Sequence, residues 1–236
     1  MDQDQDERGG LTRRDSLLKL GGLAAAAGAG GWLLADQAEG SNGRAAVAQG
    51  LVTCVLTPEL TEGPYYVAGE RLRRDITEGK PGMPLLLSLS VLNASTCKAV
   101  RNASVDVWHC DAGGVYSGAV ANNPGTNFLR GVQRTNAKGV ATFRTIYPGW
   151  YPGRAVHVHV KVHVGGSVVH TGQLFFPAAI SNAVYRTSPY SAHGTEPDTS
   201  NPADSIFRNG GSKGMLKLRR SGAGYLGSIV MGVQVA

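Results

Sequence analysis

Residues 155–164 read AVHVHVKVHV. Val156, Val158, Val160, Val162 and Val164 fall on one parity, and His157, His159, Lys161 and His163 on the other. A strand sends successive side chains to opposite faces, so this run is a strand with one continuous apolar face and one face of histidines. The valines require a second apolar layer opposite them, which restricts the chain to a layered β architecture. The histidine face is open at this point to two readings, solvent or a metal.

Further β-type runs recur after residue 50: LLLSLSVLN (85–93), SVDVWHC (104–110), GVATFRTI (139–146), VVHTGQLFF (168–176) and YLGSIVMGVQV (225–235). Most of the 33 glycines and 11 prolines fall between such runs, and helical periodicity is nearly absent. The expected fold is all-β, a β-sandwich with long irregular active-site loops at 112–138 and 177–222. Loops of that length on a rigid sandwich are usually functional or disordered. There is no internal repeat, G-x-G-x-x-G, P-loop or G-x-S-x-G motif, which leaves nucleotide and serine-hydrolase chemistry without a foothold.

Residues 1–48 read as a twin-arginine-type export signal. Arg13 and Arg14 precede a Gly/Ala-rich apolar run, and Ala46 and Ala48 form the small-residue pair before a cut. Ser16 stands where a large apolar residue is common. The competing reading is a membrane anchor over 17–35, but the run is weakly apolar, so we expect cleavage and no stable membrane insertion of the remaining 49–236. The expected location is extracellular or periplasmic. Residues 1–48 hold 5 of the 23 Lys/Arg and 7 of the 17 Asp/Glu, so the remainder is more basic than the whole chain at +6. Its charges are scattered without interleaved aromatics, which argues against nucleic acid. Cys54, Cys97 and Cys110 have no C-x-x-C spacing, against a thiolate zinc site. The polar, loop-like settings of Cys54 and Cys97 favour a bridge between them.

His157 and His159 lie about 6.6 Å apart along one strand face, close enough for both imidazoles to ligate one ion. H-x-H alone equally describes the solvent face of an amphipathic strand. The preceding turn, TIYPGWYPGR, brings Tyr147, Trp150, Tyr151 and Arg154 beside the pair. Phenolate oxygen is a hard anionic donor, so two phenolates with two imidazoles select Fe(III) over zinc or copper. Tyr116, in DAGGVYSG, is the second phenol candidate; its bland reading is a packing residue with a locally bonded hydroxyl.

TPELTEGPYY, VDVWHCDAGGVYSG, FLRGVQRTNAKGVATFRTIYPGWYPGRAVHVHVKV and TGQLFF together resemble the intradiol ring-cleavage dioxygenases, non-haem ferric enzymes of the catechol and protocatechuate dioxygenase type. The resemblance spans about residues 54–178 and includes the specific string Y-P-x-R-x-x-H-x-H. It is nearest to the short, exported members and lacks the helical dimerisation segment of the catechol enzymes, which leaves a homo-oligomer possible but unassigned. The resemblance implies that Tyr116, Tyr151, His157 and His159 ligate Fe(III), that Arg154 stabilises charge developing on the substrate ring, and that Gln173 is a site residue. Tyr147 falls outside the ligand position and is expected to pack. His163 lies about 13 Å beyond His159, too far for ligation. The implied reaction joins a catechol-type substrate and O2 to give a cis,cis-muconate-type product, with 49–236 as the catalytic domain. Glu62 to Tyr66 and residues 122–130 are implied substrate contacts. Two alternatives stand beside this. A cupin-like site would need an acidic ligand, and none occurs between His159 and Glu196. A secreted metal- or polymer-binding sandwich without catalysis would make the joint spacing of the six site residues a coincidence.

Overall fold

The computed structural model describes residues 55–118 and 123–235. The export signal expected over 1–48, Cys54, and Asn122 at the start of the 122–130 stretch lie outside them. Among the described residues eight strands form two four-stranded sheets: β1 (Pro84–Asn93), β2 (Ser104–Trp108), β3 (Arg130–Arg134), β4 (Val140–Ile146), β5 (His157–Val164), β6 (Ser167–Phe175), β7 (Lys217–Ser221) and β8 (Gly224–Val233). One sheet has the order β4-β1-β8-β7 and the other β3-β2-β5-β6. All neighbours are antiparallel except β1 and β8, which run parallel from Leu85↔Tyr225 to Asn93↔Val233.

The core follows from period-2 patterning. Leu85, Leu87, Leu89 and Val91 of β1 are buried, and so are Val158, Val160 and Val162 of β5 together with Val105 and Val107 of β2. These belong to one apolar cluster joined by Phe143, Tyr147, Leu174 and Met231. Each fully buried Val or Leu contributes about 1.5–3 kcal/mol of transfer free energy, so the facing apolar rows are the main force closing the sandwich.

The opposite face of β5 is also covered. His157, His159 and Lys161 are 3 %, 1 % and 7 % exposed. Their cover is the extended segment 57–66, which crosses between the sheets. The Thr57 N–H donates to the Gly232 carbonyl at 2.8 Å, and the Leu60 N–H to the Thr171 carbonyl at 2.9 Å. The Glu59 carboxylate accepts from His170 Nδ1 and from the Thr171 N–H. Beyond Val162 the β5–β6 register shifts, and His163 is only partly buried.

Four elements depart from the sequence reading. β3 lies inside the stretch expected to be irregular from 112 to 138, and β7 inside that from 177 to 222. Both are five-residue edge strands, RGVQR and KLRRS, whose polar composition hides the alternation but suits a sheet edge. The second stretch also holds helix α1 (Ala178–Tyr185) and the short α2 (Ser205–Arg208). Only Ser181, Val184 and Tyr185 of α1 are buried, an i, i+3, i+4 triplet on two turns that is too brief to register as helical periodicity. Cys97 is disulfide-bonded and Cys110 is a free, buried thiol. Among the described residues no helix is long and apolar enough to cross a membrane.

Candidate metal centre

Strand β5 opens the site. His157 and His159 project from its covered face with their Nε2 atoms 3.1 Å apart. The Ala155 carbonyl accepts from His157 Nδ1 at 2.6 Å, so the lone pair of that ring is on Nε2. Burial, with Arg154 second, pushes the His157 imidazole down to about 3, and burial with His157 beside it holds His159 well below the usual histidine range. Both rings are therefore neutral, the form that ligates a cation. Trp108 is the cross-strand neighbour of His159 and stacks on it at 4.8 Å with a 7° interplanar angle. Gly63 also approaches the ring, so closely that a β-carbon there would lie 3.1 Å from His159 Cε1.

The Pro-Gly turn before β5 supplies the phenol. Tyr151 Oη lies 3.3 Å from His157 Nε2, which brings three donor atoms to one point. Tyr116 follows the β2 strand through a Gly-rich turn; its ring is 5.7 Å from that of Tyr151 and 6.1 Å from that of His159. Its hydroxyl is buried, makes no hydrogen bond of good geometry among the described residues, and has the Tyr151 hydroxyl as its polar neighbour. Burial raises both phenols, Tyr116 well above the ordinary value, while Arg154 opposes the rise at Tyr151. A strong cation is what would make them phenolates. Among the described residues no three His, Cys, Asp or Glu side chains gather as a metal cluster. The donor set here is instead two imidazoles and two phenols, and two neighbouring phenol oxygens beside two facing imidazole nitrogens fit a hard trivalent cation.

Arg154 links the remaining parts. One guanidinium nitrogen donates to Tyr151 Oη at 3.2 Å, another to Gln173 Oε1, and Nε to Asp204 Oδ2 at 2.9 Å. Gln173 is the β6 neighbour of His159 and donates from Nε2 to the Thr61 carbonyl. Asp204 escaped the sequence reading. It is 1 % exposed, accepts from the Ala155 N–H at 2.8 Å, and caps α2 through the N–H groups of Ile206 and Phe207. Burial alone would raise its carboxyl, but the Ala155 and Phe207 N–H groups and Arg154 outweigh it and hold the group below the ordinary value. The only sequence signal was ADSIF, readable as a helix N-cap.

Other expected residues separate. Tyr147 packs, with its hydroxyl on Ser181 Oγ and its ring against Phe176. Within 62–66, Gly63 reaches His159 and Tyr65 stacks on Tyr116 at 4.3 Å. Glu62 and Tyr66 engage Lys161 instead: the Glu62 carboxylate pairs with its ammonium, which lies 3.8 Å above the Tyr66 ring. Phe128 and Leu129 of the 122–130 stretch pack with Ile146 in a separate cluster, away from the donor atoms.

A sequence model for the family described as Dioxygenase matches residues 61–180, just over half of the chain. The chain is 31% identical over 144 residues to chlorocatechol 1,2-dioxygenase of Cupriavidus pinatubonensis, covering 51% of this chain and 54% of that protein. It is 33% identical over 123 residues to catechol 1,2-dioxygenase 1 of Acinetobacter lwoffii, covering 50% of this chain and 35% of that one. The chain thus spans about half or less of these curated relatives' length. Among solved structures, an intradiol ring-cleavage dioxygenase from Tetranychus urticae superposes with a TM-score of 0.73 at 32% identity, covering 77% of this chain and 95% of that one.

Proposed function

The chain belongs to the intradiol ring-cleaving dioxygenases, and from that premise we propose that it opens a catechol-type ring with O2 at a ferric ion held by Tyr116, Tyr151, His157 and His159. The bond between the two oxygenated carbons breaks, and both atoms of dioxygen enter the product, a cis,cis-muconate-type diacid. The observation that supports this reading best is His157 Nε2 lying 3.3 Å from Tyr151 Oη and 3.1 Å from His159 Nε2, beside the buried hydroxyl of Tyr116.

Bound there, Fe(III) would supply Lewis acidity toward the catechol oxygens and lend the ring the electronic character that reaction with triplet dioxygen requires. The protein's own residues do the rest. Tyr151 is the accessible phenol of the pair, half-buried against 3 % exposure for Tyr116, and its hydroxyl lies on Arg154; it is placed to take up a proton from the incoming catechol. Arg154 aims a fixed cation at charge that develops on the ring, with Asp204 and Gln173 setting its direction in advance. Trp108 stacks on His159 and Gly63 lies close to its Cε1, so the two restrict how that ring can turn.

The test is reconstitution with Fe(III) followed by anaerobic catechol and then air. The iron-loaded protein should carry a broad visible charge-transfer band that moves to longer wavelength with catechol, and air should then yield a muconate with one O2 consumed per ring. Stoichiometric iron with no visible band would remove the tyrosinate ligation. A band without ring opening across a panel of substituted catechols would remove the catalytic reading.

A further inference from the structure

Arg130 is 1 % exposed, carries a full charge, and has no part in the chemistry above. It begins β3 directly opposite Trp108, the residue stacked on His159. Its Nε donates to Ser117 Oγ at 2.8 Å, one terminal nitrogen to the Ser117 carbonyl at 2.6 Å, and the other to the Tyr65 carbonyl at 2.5 Å. Tyr65 is the ring stacked on Tyr116, and Ser117 is the residue after Tyr116. One planar fork therefore ties together the two backbone segments that present the stacked phenols, and its Cζ lies 5.9 Å from the Tyr116 ring centroid. Among the described residues the nearest carboxylate oxygen is Glu70 Oε1 at 4.0 Å, itself buried with no hydrogen-bond partner there, so the cation is only loosely neutralised. Burying such a charge is costly, and a neutral residue would fill the space without that cost.

Resting on the proposed ferric reading, we propose that Arg130 is a positioning residue for Tyr116: it fixes the Tyr65–Tyr116 stack as one body, so that the Tyr116 oxygen stays at the metal while the half-buried Tyr151 is free to move. The geometry of the two phenols supports the division. Tyr116 is stacked face to face and tied through its neighbour, whereas the Tyr151 ring meets Tyr65, Tyr116 and His157 edge-on and its hydroxyl is held by the side chain of Arg154. Lys cannot replace Arg here, because three acceptors in fixed directions need the planar fork. A positive charge beside one phenolate also lowers its filled orbitals, so the residue should leave a mark on the colour of the iron form.

Arg130→Met and Arg130→Lys, loaded with Fe(III), test this alongside Ser117→Ala, which removes the Nε acceptor together with the Ser117 Oγ bond to the Phe128 carbonyl while leaving the guanidinium charge in place. Expected for Arg130→Met is a charge-transfer band moved to longer wavelength and a kcat lowered roughly tenfold to a hundredfold with KM for catechol changed far less. Arg130→Lys should keep more of the band position but broaden it and still lose kcat, and Ser117→Ala should show a smaller shift in the same direction. A lowered melting temperature with an unmoved band and unchanged kcat in the iron-loaded variants would make the role structural only and overturn the proposal. If both Arg130 variants fail to fold, an unshifted band in Ser117→Ala overturns it. Wild-type protein that binds iron without a band would overturn the underlying ferric reading instead, which keeps the two failures apart.

Discussion

Arg154 is held at three points, by Tyr151, Gln173 and Asp204, so its charge is aimed before any substrate arrives. Arg154→Ala should therefore retain iron and its colour while losing most turnover at saturating catechol; unchanged turnover would strip the residue of that role. Asp204→Asn keeps the size of the anchor but removes its charge. With the carboxylate at 0 % side-chain exposure and taking both Arg154 and the Ala155 N–H, the loss should cost about 3 kcal/mol at neutral pH by urea denaturation. Because folding holds the Asp204 carboxyl below its ordinary value, its contribution is complete above about pH 4 and is lost as pH falls through the lowered value. The gap between wild type and Asp204→Asn should accordingly close in acid; a gap that persists at pH 2 would contradict this. Tyr147→Phe breaks one buried hydrogen bond for about 1 kcal/mol and should leave the colour intact, whereas Tyr151→Phe should weaken it. At this scale the sequence disclosed the residues that share one short string, Tyr151, Arg154, His157 and His159. It concealed Asp204, Trp108 and Arg130, whose partners are distant in the chain and whose roles exist only once strands have paired.

The two faces of β5 explain why this element was legible and others were not. Strict alternation survives there because both faces are buried for different reasons, valines by the opposite sheet and histidines by the 57–66 segment. The edges β3 and β7 have one demanding face at most, and their polar residues obscured the period. The cover over the histidines depends on Gly63, which has φ +75° and sits against His159. Gly63→Ala should cost about 1 kcal/mol in backbone strain and also press a methyl on the imidazole. Fe(III) affinity should therefore fall more than the melting temperature suggests. Equilibrium dialysis of iron beside thermal unfolding separates the two effects; an unchanged affinity would mean that the segment merely covers the strand. Glu62 and Lys161 fasten the same segment one position earlier and two residues beyond His159, so Lys161→Met should loosen the cover without touching a donor atom.

At the scale of the whole molecule, the two-layer fold was readable because alternating apolar runs recur along most of the chain after residue 50. The segments lying over the sheets were harder to read, since turns of helix and strap-like loops carry no long period. The cysteines connect the sandwich to where the protein resides. Cys97 is disulfide-bonded, an arrangement expected outside a reducing cytosol, while Cys110 is 2 % exposed with burial raising its thiol. We propose that Cys54 is the partner and that the mature chain begins near Gln49, a cut that leaves Cys54 in place. The mature, exported protein should then show no thiol reactive toward a bulky disulfide reagent when native, one after unfolding without reductant, and three after unfolding with reductant. Reduction should lower stability by about 3 kcal/mol, chiefly through greater freedom of the unfolded chain. Three thiols without reductant in protein recovered outside the cytoplasm would refute the bridge, and an intact segment from Met1 to Ala48 on cytosolic protein would refute export.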